Sequence, residues 1–246
     1  TIEVEGPLES RGYVEMTLKV LREFGAEVRA SKGLEEFEVD APQRLRPIAK
    51  EVPGDYSAAS FLAVAGAIVE GSKVKIEGLL RDDVQPDKVL IDVLREVGAK
   101  VLVGADYLEV EGPSRLSSFR FDARDNPDLV PPLLALACFC SGESVIEGAT
   151  RLRFKESDRL RSLPMELSRL GADVRVEGGR IVGKGGAVKG GVARSWSDHR
   201  VAMALAVVGL KAEKGVIIEG FEAVSKSYPG FAGDLARLGA LIDVVG

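Results

Sequence analysis

VLIDVLREVGAKVLVGADYLEVEG, residues 89–112, is the stretch from which the fold can be read. Val89, Ile91, Leu94 and Val97 recur at helical spacing, so the stretch opens as a helix with one apolar side. Gly98 suits the left-handed residue that closes a helix, and the apolar residues after it begin a strand. YLEVEG at 107–112 reads as a further strand. The same phrase recurs along the chain as FGAEV at 24–28, LGADV at 170–174 and LGALI at 238–242. Before the third copy the helical positions are Leu160, Leu163, Leu167 and Leu170, and RIVGKG at 180–185 follows as a strand. Self-similarity of this kind is the mark of a repeated supersecondary unit.

Between these copies a second phrase recurs: an Ala-rich helix, then a β-rich strand ending in Gly. The examples are AASFLAVAGAIVEGSKVKIEG, PPLLALACFCSGESVIEG and VAMALAVVGLKAEKGVIIEG. These helices are apolar almost all round and belong in a core. One unit therefore reads helix, strand, helix, strand, strand. Three nearly complete copies occupy 57–246, the last ending before its final strand. Residues 1–56 read as the second half of another copy, with strands at 1–5 and 36–40 around the helix YVEMTLKVLREFGA. VPGDYS at 52–57 carries Pro and Gly at the join and reads as a linker. The expectation is an α/β (α+β) protein in which 1–56 is the end of one domain and 57–246 a second, three-unit domain.

The 246 residues are 46% hydrophobic and 29% charged, an ordinary globular composition. Neither a membrane-length apolar run nor a signal-peptide pattern is visible. The net charge of −5 argues against nucleic acid as the main partner but leaves room for a local basic site that binds small anions. Cys138 and Cys140, two apart in LALACFCSG, read as buried thiols in a reducing cytoplasm. With His199 as the only histidine, a metal centre is not expected.

Four loops carry the chemistry. RLRFKESDRLR at 151–161 sets Arg151, Arg153, Lys155, Arg159 and Arg161 against Glu156 and Asp158. A helix starting near Ser157 would add N–H groups that favour an anion and would put Lys155 and Arg159 on one side. Pro164 implies a kink, or a start nearer Ser162. In WSDHRVAMALAV at 196–207, Asp198 can cap the buried helix, and Arg200 would face the 151–161 loop if the units pack around one axis. DARDNPDLVPP at 122–132 spaces Asp122, Asp125 and Asp128 by three, and crowding would raise their pKa values and suit them to proton transfer. SKSYPGF at 225–231 places Lys226 where Lys155 stands in its own repeat. Taken alone, each loop also fits a solvated surface or a helix cap.

In combination, DYSAASFLAVAGA, VQPDKVLIDVLREVGA, DNPDLVPPLLALA, RFKESDRL, SDHRVAMALAV and SKSYPGF resemble the 5-enolpyruvylshikimate-3-phosphate synthases over essentially the whole chain. The resemblance implies βαβαββ units around a pseudo-threefold axis, an inside-out α/β barrel, in two domains that close on shikimate-3-phosphate and phosphoenolpyruvate, and a reaction that requires no metal or other cofactor. It implies Asp128 as base to the attacking hydroxyl, Glu156 as a proton-transfer carboxylate and Lys155 as a substrate-binding lysine. Arg159, Arg200 and Lys226 would grip phosphoenolpyruvate, with Lys226 also in proton transfer and His199 beside them. Ser10 and Tyr13, in ESRGY, would hold shikimate-3-phosphate. Gly12 stands where the family often has Pro, which would loosen that turn. The family's remaining substrate residues would precede Thr1, so the chain is expected to be the C-terminal portion of an enzyme, with a missing N-terminal half as partner. The alternatives are an enolpyruvyl transferase for a nucleotide sugar, or a non-catalytic split subunit.

Overall fold

Helices that are apolar on every side need a surrounding protein, and here they surround one another. In the computed structural model, which describes residues 1–245, the Ala-rich segments form the centre of the molecule. In chain order the elements begin with β1 (Ile2–Glu3), α1 (Arg11–Glu23), β2 (Val28–Ala30) and β3 (Glu36–Val39). The first unit follows as α2 (Tyr56–Ile68), β4 (Lys73–Glu77), α3 (Leu90–Glu96), β5 (Lys100–Val103) and β6 (Tyr107–Glu111). The second comprises β7 (Leu116–Ser117), β8 (Arg120–Asp122), α4 (Val130–Ala137), β9 (Cys140–Ser141), β10 (Glu143–Glu147), α5 (Arg159–Arg169), β11 (Asp173–Glu177) and β12 (Arg180–Lys184). The third is β13 (Gly191–Arg194), α6 (His199–Gly209), β14 (Val216–Glu219) and α7 (Phe231–Arg237).

All of α4, and all of α2 but Ala58, is buried. Each of α2, α4 and α6 packs on the other two, which is the pseudo-threefold core. The sheets lie outside. β6 runs antiparallel between β4 and β5, and β12 does the same between β10 and β11. Their inner faces are lined by apolar cross-strand pairs such as Ile76↔Leu108 and Ile146↔Ile181. β8 and β13 precede their buried helices and pair in parallel with β10 and β14, completing the βαβ crossover. These two strands were absent from the residue-level reading of the repeat. No strand follows α7 among the described residues.

The four Gly-Ala phrases close their helices in one way. Gly25, Gly98, Gly171 and Gly239 all have positive φ. In each, the Gly N–H reaches a carbonyl three residues back and the following Ala N–H one five back, as in Gly98 to Arg95 and Ala99 to Leu94. This is the Schellman arrangement.

β1, β2, β3 and α1 repeat the second half of a unit, with β3 between β1 and β2. They enclose a small core of their own around Leu18, Leu34 and Phe37. This piece meets the rest through Ser10, whose N–H donates to the Arg124 carbonyl at 3.3 Å, and through Tyr13. Gly12 does not loosen a turn. It lies in the first turn of α1 with Pro86 against it, and a Cβ there would come within 2.7 Å of the proline side chain. The 52–57 join is likewise pinned: the Gly54 N–H donates to the Gly78 carbonyl at 2.8 Å, and Asp55 caps α2 through the Ser57 N–H.

Helix α5 starts at Arg159, capped by Asp158, close to Ser157 as expected and not nearer Ser162, and it runs on through Pro164. The Asp158 cap fixes the start, and the apolar positions Leu160, Leu163 and Leu167 bury the helix despite the ladder bond that Pro164 cannot donate.

Candidate active site

The charged loops converge at the N-terminal ends of α4, α5 and α6. Arg159, the first residue of α5, is 1% exposed and donates to three carboxylates. Its Nε and Nη2 hold Asp198 at 2.8 and 3.0 Å, Nη1 holds Asp128 at 3.0 Å, and Nη2 also holds Glu156 at 2.6 Å. Asp198, fully buried, caps α6 by accepting from the Arg200 N–H at 2.9 Å and takes the Ser157 hydroxyl at 2.9 Å. A helix cap and a buried ion pair thus share one carboxylate, which joins the second and third units.

Above this layer lie the more accessible cations. Lys155 is 3.1 Å and Arg200 3.5 Å from Asp128. Lys226, its side chain 57% exposed, reaches Glu156 at 3.3 Å from the 3₁₀ turn Phe221–Lys226. Burial pushes the carboxyl groups of Asp128, Glu156 and Asp198 upward, yet their partners outweigh it and hold all three below the ordinary carboxylate range. For Asp128 the opposing cations are Arg200, Lys155 and Arg159. For Glu156 the opposing partners are its own backbone N–H and the cations Arg159 and Lys226. Burial, then Arg200, pushes His199 below its usual value, so its imidazole is neutral near pH 7, and its Nδ1 is buried with no hydrogen-bond partner.

The structure brings Asp128, Lys155, Glu156, Arg159, His199, Arg200 and Lys226 together. Arg159 sits at the base of this cluster with almost no exposed surface, and carboxylates take four of its five N–H donors. Ser10, in a left-handed conformation, takes the Arg151 guanidinium at 2.9 Å. Tyr13 donates its hydroxyl to Asp87 at 2.7 Å, close enough to Asp128 and Arg200 to feel both charges. The expected crowding of three aspartates is overturned. Asp122 pairs with Arg124 and lies below the ordinary range, and Asp125 takes the Arg11 N–H at 3.1 Å, so only Asp128 enters the cluster.

Residue-level reasoning assigned no role to Asp87. It is 1% exposed, is held by Tyr13 and by the Asn126 amide at 3.0 Å, and is pushed above its ordinary value by burial. Its signal, a Pro-Asp at a helix start, is indistinguishable from a cap. Cys138 and Cys140 are buried, with thiols pushed up to about 12 by desolvation, and are inert. Among the described residues no helix is long and apolar enough to cross a membrane.

The family model of EPSP synthase (3-phosphoshikimate 1-carboxyvinyltransferase) matches residues 1–235. The chain belongs to the EPSP synthase family. A relative in Aeropyrum pernix named 3-phosphoshikimate 1-carboxyvinyltransferase is 46% identical over 238 residues, spanning 97% of this chain and 55% of its own. One of the same name in Thermococcus kodakarensis is 43% identical, spanning 96% and 57%. The chain therefore spans about half the length of the curated relatives it matches. An EPSP synthase structure from Acinetobacter baumannii superposes with TM-score 0.79 at 28% identity, over 94% of this chain and 55% of that one. The enolpyruvyl transferase NikO from Streptomyces tendae shares the fold, with TM-score 0.76 at 22% identity over 96% and 55%. The family's inside-out α/β architecture is thus the architecture of this chain.

Proposed function

We propose that the chain provides one wall of a cytoplasmic 3-phosphoshikimate 1-carboxyvinyltransferase. That enzyme transfers the enolpyruvyl group of phosphoenolpyruvate to the 5-hydroxyl of shikimate-3-phosphate and releases phosphate. The single observation that carries this reading is the alternation of ionised carboxylates and accessible cations, Lys155–Asp128–Arg200 and Lys226–Glu156, in a chain of this family. On this reading 57–246 is the three-unit domain. Residues 1–56 close a preceding domain, in keeping with their separate small core.

The reaction needs a proton removed from the hydroxyl as its oxygen bonds to C2 of phosphoenolpyruvate, and a proton added at C3. The adduct then loses the C3 proton and phosphate, restoring the methylene. Asp128, ionised and in contact with three cations, is the base for the hydroxyl. Glu156 and Lys226 form a coupled carboxylate and ammonium, an acceptor and a donor side by side, for the two proton steps at C3. Lys155, Arg200 and Lys226 meet the anionic substrates and stabilise the departing phosphate. On this reading Ser10 and Tyr13 contact shikimate-3-phosphate, and Tyr13 must release Asp87 to donate to it.

The test is phosphate release from the two substrates by this chain, alone and joined to the segment that its relatives carry outside the matched region. Activity that Glu156→Gln or Lys226→Ala lowers by about 10²–10⁴-fold is expected. A joined protein that neither binds phosphoenolpyruvate nor releases phosphate would overturn the reading.

A further inference from the structure

Trp196 and Ser197 both have positive φ, 57° and 53°. They are the central residues of a turn closed by the Asp198 N–H donating to the Ser195 carbonyl at 3.0 Å. Two successive positive-φ positions are the pattern of a primed turn, which Gly, Asn and Asp favour because the left-handed region crowds a Cβ. A tryptophan is a poor choice for it. Trp196 is the only tryptophan in the chain and remains 42% exposed, so core packing does not account for it either.

Its indole supplies a different reason. The Trp196 Nε1–H donates at 2.9 Å to Glu166, a fully buried carboxylate that also accepts from the Arg194 backbone N–H at 3.2 Å. The Arg169 guanidinium, 3.1 Å away, balances the charge. Glu166 lies seven residues after Arg159 on α5, two turns on and so on the same helix face. One face of α5 therefore grips the 194–200 segment at two points. Arg159 holds Asp198 at one end, and Glu166 holds Trp196 and Arg194 at the other. The strained turn lies between them and delivers His199 and Arg200 into the site.

We propose that Glu166 and Trp196 form a latch that holds this turn in its left-handed conformation and thereby sets the position of Arg200. They are positioning residues, and the ligand they serve, the anionic phosphoenolpyruvate, rests on the function proposed above. The two halves of the SWSDHR segment then have separate jobs: Asp198 fixes the start of α6, and Trp196 fixes how the chain arrives there.

Two readouts test it. The first needs no substrate. In Glu166→Gln, where one of the two acceptor oxygens becomes a donor, acrylamide quenching of the sole tryptophan and hydrogen exchange at the Arg200 amide should both rise. In the second, phosphoenolpyruvate is titrated by calorimetry into the joined protein. Glu166→Gln and Trp196→Phe should each weaken it about tenfold, the scale of a small misplacement of a binding group. Adding Ser197→Gly to Glu166→Gln should recover part of that loss, because glycine takes the left-handed conformation without the latch. A merely structural role for Glu166 would show no such recovery. Unchanged quenching and exchange in Glu166→Gln would overturn the latch. Loosened quenching and exchange with unchanged phosphoenolpyruvate affinity would overturn its link to Arg200. If the parent protein, joined to the segment that its relatives carry outside the matched region, fails to bind phosphoenolpyruvate, the functional reading fails, and the quenching and exchange data still decide the latch.

Discussion

Arg159 shows how one side chain can organise a site from below. Four donor contacts to three carboxylates leave it with almost no surface and tie the position of each carboxylate to its own. Removing it leaves Asp198 buried without its counter-charge. Arg159→Leu should therefore lower stability by about 3–5 kcal/mol, the scale of a broken buried pair, measured as a fall in the urea midpoint. Asp87 lies on the opposite side of the balance. Burial raises its folded pKa above the unfolded value of about 4, so the fold favours its protonated form, and that contribution is lost as pH rises. The melting temperature of Asp87→Asn relative to the parent should climb as pH rises from below about 4 towards neutrality. A pH-independent difference would show that Asp87 is not held above its ordinary range. That Asp128, Lys155, Glu156, Arg200 and Lys226 matter was legible from the charged loops. Which carboxylate meets which cation was not, because a spacing of three along a loop says nothing about direction. The turn at Pro127–Leu129 aims Asp128 inward, while Asp122 and Asp125 stay with other partners.

At the scale of the element, the repeats were legible because their signals are local. A helix that ends in Gly-Ala writes its closure into six consecutive residues, and all four copies close alike. Gly98→Ala isolates that device: an added Cβ there meets nothing nearer than the Arg115 carbonyl at 3.8 Å, so the cost is the left-handed backbone alone. About 1–2 kcal/mol of lost stability is expected, by chemical denaturation. Leu134 on α4, fully buried and facing β12 at Gly183, tests the other local signal. Leu134→Ala should cost about 2–5 kcal/mol as cavity and lost transfer energy. A loss under about 1 kcal/mol would mean that the core between α4 and its sheet repacks freely. β8 and β13 escaped the residue-level reading for the converse reason. RFD and GVAR are too short to show alternation, and only their pairing with β10 and β14 makes them strands. The course of α5 through Pro164 was illegible in the same way, since the burial that overrides the proline is set by neighbours distant in sequence.

Over the whole molecule, the site and the fold share one electrostatic layer. Asp128 precedes α4, Glu156 and Arg159 open α5, and Asp198 caps α6, so the ion network ties together the segments that lead into helices of two units. An axis of three buried helices brings their N-termini to one end, which is why residues from four separated loops meet. The repeat implied that convergence before any contact was known. The same design makes the fold acid-sensitive in a definite direction. Asp128, Glu156 and Asp198 all have folded pKa values held below their ordinary ones. Their stabilisation is complete above the unfolded pKa of about 4 and is lost as pH falls through the depressed folded values, because the unfolded chain takes up protons first. The melting temperature should therefore fall steeply below about pH 4, and Asp198→Asn, less stable at neutral pH, should fall less steeply. Thermal scans across that range decide the matter. Parallel pH profiles for parent and variant would show that Asp198 is not coupled to Arg159 in the folded protein. The charge layer would then be a feature of the site alone and not of the fold that carries it.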